Sequence, residues 1–171
     1  MHLWFHLVTI HAVLSQNCSK SALYCLLPNK SGVTYERLYK ILKELAELKP
    51  ELILCDFELA QANSASAIFG CAIAYCYFHL SQNLFDKIEK LKLTKWYNTC
   101  EKFEDGINSL KALAFLKLEQ VLLGFELICE MLVVCECDVC EPHNGKQHVP
   151  EKILQWFKKW YVGVRKSQKQ K

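Results

Sequence analysis

The strongest constraint on this chain is the order in which two periodicities alternate. Two runs rich in β-formers come first, Leu7 to Leu14 and Ala22 to Leu27, with the polar stretch Ser15-Gln16-Asn17-Cys18-Ser19-Lys20 between them. That pattern predicts a hairpin. Pro28-Asn29-Lys30-Ser31-Gly32 is a turn cluster. A helix is expected from Thr34, as N-cap, with Glu36 in its first turn. Tyr35, Leu38, Tyr39, Leu42 and Leu45 recur at helical spacing, and Pro50 stops the run. Leu52-Ile53-Leu54-Cys55 reads as a short buried strand ending at Asp56. Phe57 to Ile68 turns helical, Cys71 to Phe78 is strand-like, and His79 to Leu91 places Leu80, Leu84, Ile88 and Leu91 on one stripe. Lys95 to Val134 is helical, with breaks expected near Gly106 and near Lys117. Glu136 to Pro150 is irregular, and Glu151 to Trp160 is a last short helix with Ile153, Leu154, Phe157 and Trp160 in register. The order β-β-α-β-α-β-α followed by helices gives an α/β class with a helical appendage. Tyr35, Tyr39 and the Phe115 region are expected in the core.

At 171 residues the chain is one domain or a piece of a larger one. Its 51% hydrophobic and 23% charged residues exclude a wholly disordered chain, a collagen and a coiled-coil rod. No apolar run reaches the ~18 residues that a membrane-spanning helix needs. The net charge of +3 conceals an asymmetry: residues 151–171 hold seven of the 21 basic residues and one acid, Glu151. Ten cysteines are present, and several lie inside apolar runs, as in Leu54-Cys55-Asp56 and Leu127-Ile128-Cys129. Free cysteine packs as a small hydrophobe in a reducing compartment, so an intracellular chain is expected. The alternative is a small secreted cysteine-rich protein, for which the apolar Met1 to Leu14 would act as a leader. That stretch has no Lys or Arg, carries His2, His6 and His11, and lacks a clean cleavage site.

Four groups of residues could carry chemistry. Asp56 stands at the carboxyl end of a strand, where α/β sheets bind ligands and carboxylates hold Mg²⁺ or Mn²⁺; it could equally cap the next helix. Glu58 reads as a first-turn helix acid. Cys76 and His79 form a Cys-x-x-His pair, two competent zinc ligands where four are needed, or else a buried thiol and a core histidine. Cys135, Cys137 and Cys140, with His143 and His148, could bind zinc, or cluster by chance, in a spacing unlike a known finger. Trp156, Trp160 and Tyr161 are interleaved with Lys158, Lys159, Arg165 and Lys166. Such a mixture suits phosphate contact and base stacking, or forms an apolar helix face with a solubilising end. No Gly-x-Gly-x-x-Gly, Walker or Gly-x-Ser-x-Gly motif appears, and no small-molecule substrate is expected.

Several strings taken in order resemble the Mutator-like element (MULE) transposase domain. They are Thr9-Ile10-His11-Ala12, Tyr24-Cys25-Leu26-Leu27-Pro28-Asn29-Lys30 and Thr34-Tyr35-Glu36. Cys55-Asp56-Phe57-Glu58 and Cys76-Tyr77-Phe78-His79-Leu80-Ser81-Gln82 follow, then Leu110-Lys111-Ala112-Leu113-Ala114-Phe115-Leu116 and Trp160-Tyr161-Val162-Gly163. The resemblance runs from about Leu7 to Arg165. It implies a ribonuclease-H-like fold, a DNA partner, a nuclear location and a DDE site in which three acids hold two divalent metal ions, Mg²⁺ or Mn²⁺. The second acid carries over to Asp56, and the family's Cys-x-x-His to Cys76 and His79.

The family's first acid lies on a strand before Leu7, in an Asp-Gly-Thr-Phe-like segment. The third lies beyond Trp160, in an Asn-Asn-x-x-Glu-like segment. Neither has a counterpart in these residues, and one carboxylate cannot position two metals, so no autonomous DNA cleavage is expected. The resemblance thus implies a partial ribonuclease-H-like core over 7–94, its hairpin and αβαβ lacking the central first strand. A helical region over 95–165 and a basic tail at 166–171 follow. The missing strand would leave its neighbours' ladder groups without partners, at about 1–3 kcal/mol for each buried group. The neighbours could pair directly, the hairpin could come away, or the chain could fail to fold alone. The alternative function is a non-catalytic DNA- or protein-binding module derived from a transposase.

Overall fold

The hairpin exists and is longer than its polar middle suggested. β1 (His6–Ser15) and β2 (Cys18–Leu27) pair antiparallel from His6 opposite Leu27 to Ser15 opposite Cys18. In this computed structural model, residues 6–15, 18–133 and 149–163 are described. The ladder slips after Ile10, which faces Leu23, because His11 faces Ser21. Ala22 is therefore the extra residue of a bulge. On the near side of the bulge, Val8 and Leu27 are buried and Ile10 and Cys25 half-buried. On the far side, His11–Ser15 and the first residues of β2 are all exposed.

Helix α1 (Gly32–Leu45) starts earlier than expected, because Ser31 rather than Thr34 is its N-cap. Ser31 Oγ accepts from the Thr34 backbone N–H at 3.3 Å, while Asn29 Oδ1 accepts from Ser31 N–H at 3.0 Å and from Thr34 Oγ1 at 2.7 Å. The turn cluster thus closes onto the helix through side chains. Tyr35, Leu38, Tyr39 and Leu42 form the buried stripe, and Leu45 lies outside it, exposed.

β3 (Leu52–Cys55), α2 (Leu59–Phe69) and β4 (Ala72–Tyr75) form a parallel strand–helix–strand unit, with Leu52 opposite Ala72 and Cys55 opposite Tyr75. Gly70 ends α2 in the left-handed region (φ 67°), its N–H bonded to Ser66 O at 2.9 Å. β4 is shorter than the predicted Cys71 to Phe78, and α3 (Tyr77–Lys90) begins before His79. Tyr77 and Phe78 are β-formers by propensity, but the Leu80–Leu84–Ile88 stripe extends the helix back through them.

The chain forms two compact units, Met1–Cys76 and Tyr77–Lys171, so this is a mixed α/β chain followed by helices. In the first, both strand pairs pack on one helical layer. Val8, Leu27, Tyr35, Leu38, Tyr39, Leu42 and Ala65 form its core, with Ile53 and Ile73 against it. The two pairs nonetheless remain separate two-stranded sheets, with no ladder between them among the described residues. The opposite faces carry Leu7, Leu26, Leu52 and Leu54, all exposed.

The second unit contains α3, α4 (Thr94–Thr99), α5 (Glu101–Ala112), a 3-10 turn (Leu113–Phe115), α6 (Leu118–Val133), α7 (Val149–Phe157) and a π-helical turn (Lys158–Val162). Leu84, Ile88, Phe103, Ile107, Leu110, Leu132, Ile153 and Phe157 fill its core. The break near Lys117 is present, but Gly106 does not break α5. It is buried where α6 comes close: a Cβ there would lie within 2.9 Å of three Leu132 side-chain carbons. The earlier break is at Cys100, which caps α5 by accepting from Phe103 N–H at 3.4 Å through Sγ. Phe115 is not core: it is 74% exposed, with its ring 5.0 Å from that of Tyr77.

Candidate functional site

The carboxyl end of β3 is where the first unit concentrates polar groups. Asp56 follows the last strand residue and is exposed, and its Oδ1 accepts from the Phe57 N–H. Phe57 stacks on Tyr75 of the neighbouring strand, with centroids 4.8 Å apart and planes at 15°, which fixes the turn after β3. Asp56 is not the N-cap residue of α2. Glu58 holds the N-cap position, without a side-chain cap bond, rather than the first-turn position expected for it.

Glu58 is committed elsewhere. Its Oε1 accepts from the Tyr35 hydroxyl at 2.9 Å, and its Oε2 pairs with Lys30 Nζ at 3.3 Å. The Tyr35 ring is excluded from solvent and meets the His6 ring edge-on at 6.2 Å. Burial, then the bond to Glu58, pushes the Tyr35 hydroxyl far above the usual phenol range, so it stays a donor. This Lys30–Glu58–Tyr35 chain links the turn before α1 to the start of α2. Tyr35 reads as core from the sequence, and nothing in one sequence pairs it with a carboxylate 23 positions on.

The divalent metals implied for Asp56 need more donors than stand here. Both Glu58 oxygens have partners, and among the described residues no group of three His, Cys, Asp or Glu is placed to hold a metal ion. One carboxylate does not make a two-metal site. Cys76 ends the first unit, half-buried. His79 lies in the first turn of α3, its ring edge-on to Phe78 at 5.7 Å. Cys135, Cys137, Cys140, His143 and His148 lie outside the described residues. The described cysteines, Cys18, Cys25, Cys55, Cys71, Cys76, Cys100 and Cys129, carry thiols. Burial pushes those of Cys25, Cys55 and Cys129 up.

In the second unit, lysines and aromatic rings gather around the end of α7. Phe157 stacks on Phe125 at 6.3 Å and on Tyr161 at 4.9 Å, and Trp156 meets Tyr161 at 5.4 Å. Lys158 Nζ lies 6.0 Å over Phe125 and Lys159 Nζ 5.3 Å over Trp160. Lys87 of α3, unmarked by any sequence motif, lies 5.5 Å over Trp156. Arg165 and Lys166 lie outside the described residues. Among the described residues no helix is long and apolar enough to cross a membrane.

No protein-family model matches the chain, and no curated protein or solved structure matches it.

Proposed function

We propose that these residues are part of a MULE-type DDE transposase domain with a ribonuclease-H-like core, acting on DNA in the nucleus and catalytically inert as they stand. The observation that carries the reading is the place of Asp56. It follows the strand that comes after a hairpin and a helix, and that strand is parallel to the next one, reached through a further helix. The resemblance assigns the second metal-binding acid to that position. The two strand pairs also agree with it, since they share a helical layer yet form no common ladder among the described residues. A sheet lacking its central strand would look this way. The inertness rests on the donor count, because the chemistry needs three acids and among the described residues no such group is assembled around Asp56.

End-to-end sequencing of the native transcript tests the family. A frame that runs upstream into an Asp-bearing strand and downstream into a Glu-bearing helix is the expected result. Unrelated coding sequence on both sides would sink the reading. A plasmid-nicking assay with Mg²⁺ or Mn²⁺ tests the inertness: no nicking is expected, and nicking lost in Asp56→Ala would overturn it.

A further inference from the structure

We propose that the end of α7 and the π-helical turn after it form a surface for single-stranded nucleic acid, with Trp160 stacking on a base and Lys158 and Lys159 meeting the flanking phosphates. The surface lies wholly within the second unit and stands whether or not the transposase reading holds. Trp160 is 57% exposed, a large ring left in solvent on an element whose other rings pack against one another. Two ammonium groups immediately precede it in sequence, and Lys159 already lies over its ring. Phe157 stacks on both Phe125 and Tyr161, which ties the turn to α6 and α7. An ammonium over an exposed ring is held weakly, whereas a base on the same ring is held more strongly. Binding would therefore exchange one for the other and release Lys159 to a phosphate.

The geometry favours a single strand over other anions. In a duplex both faces of each base are already stacked, so Trp160 would have nothing to meet and only the lysines would act. An acidic peptide would use the lysines and leave the indole idle. A membrane surface would need an apolar helix face to insert. Here Ile153, Leu154 and Phe157, which form that face on α7, are buried in the unit's own core.

The test is fluorescence anisotropy of a labelled dT 20-mer titrated with the full chain, beside a 20-bp duplex and phosphatidylserine vesicles. Tighter binding to dT is expected. Trp160→Ala should weaken it roughly tenfold, within the range for loss of one stacked base, while Trp160→Phe retains most of the affinity. Lys158→Ala with Lys159→Ala should reduce the log–log salt slope by about 1.4, at ~0.7 for each single-strand phosphate contact. Circular dichroism of each variant establishes that it is folded. No saturable dT binding, duplex bound as well as dT, preference for vesicles, or a folded Trp160→Ala with unchanged affinity would each overturn the proposal.

Discussion

Tyr35→Phe isolates a part-buried polar contact of the first unit. The substitution keeps the ring that fills the core and removes only the oxygen that donates to Glu58 at 2.9 Å. A hydrogen bond to a charged group contributes roughly 1.5–3 kcal/mol. Glu58 retains Lys30, but that side chain is 59% exposed and its pairing contributes at most about 1 kcal/mol. The Glu58 side chain is itself 22% exposed, so water can replace part of the lost bond. The expected loss is therefore at the low end, about 1.5 kcal/mol. Urea unfolding followed by circular dichroism should show a lower midpoint with an unchanged slope. The same variant carries a pH signature. The folded chain holds the Tyr35 proton more tightly than the unfolded chain, whose phenol titrates near 10. That stabilisation is complete below pH ~10 and is lost as pH rises through the folded value. One such group contributes a slope of up to about 1.4 kcal/mol per pH unit above pH ~10. Tyr35→Phe removes that slope, while Tyr39, raised by its own burial, retains its part in both proteins. Equal midpoints at pH 7 and equal alkaline losses would refute the account of Tyr35.

Gly106→Ala should destabilise the second unit by about 1–3 kcal/mol, because the new methyl must displace Leu132; a thermal melt within 1 °C of the parent would count against the close approach. Gly70→Ala meets no atom within 4 Å, so its effect comes from backbone alone, about 1–2 kcal/mol for holding alanine at φ 67° in the same melt. Iodoacetamide labelling at neutral pH, read by peptide mass spectrometry, should modify exposed Cys18 well before buried Cys55, whose thiol burial also pushes up; equal rates would contradict the described core.

The α/β order was legible because the apolar runs are short and sharply bounded: Pro50 before and Asp56 after leave Leu52–Cys55 little choice but a strand. Boundaries were less legible where two residues offer the same chemistry. Ser31 and Thr34 can each cap a helix, and the side chain of Asn29, bonded to both, decides for Ser31. Gly106 reads as a break by its helix propensity, but its role is set by Leu132 on another helix. Tyr77 and Phe78 favour strand locally, yet the buried stripe that follows makes them helical. Asp56 could be placed from its strand, whereas the partnership of Glu58 with Tyr35 and Lys30 joins three separate segments and leaves no spacing to read. The same holds for Lys87 over Trp156.

The bulge at Ala22 divides one hairpin into two kinds of backbone. Toward Val8 and Leu27 the ladder is clamped by the helices, so its amides should exchange with deuterium only when the whole unit opens. Beyond the bulge, from His11 to Ser15 and back, the same hydrogen bonds have solvent on both faces and no core behind them. A two-stranded ribbon of that kind is marginal by itself. It would open from its tip inward many times for each global unfolding event, making the outer hairpin a fast-exchanging ribbon on a slow-exchanging base.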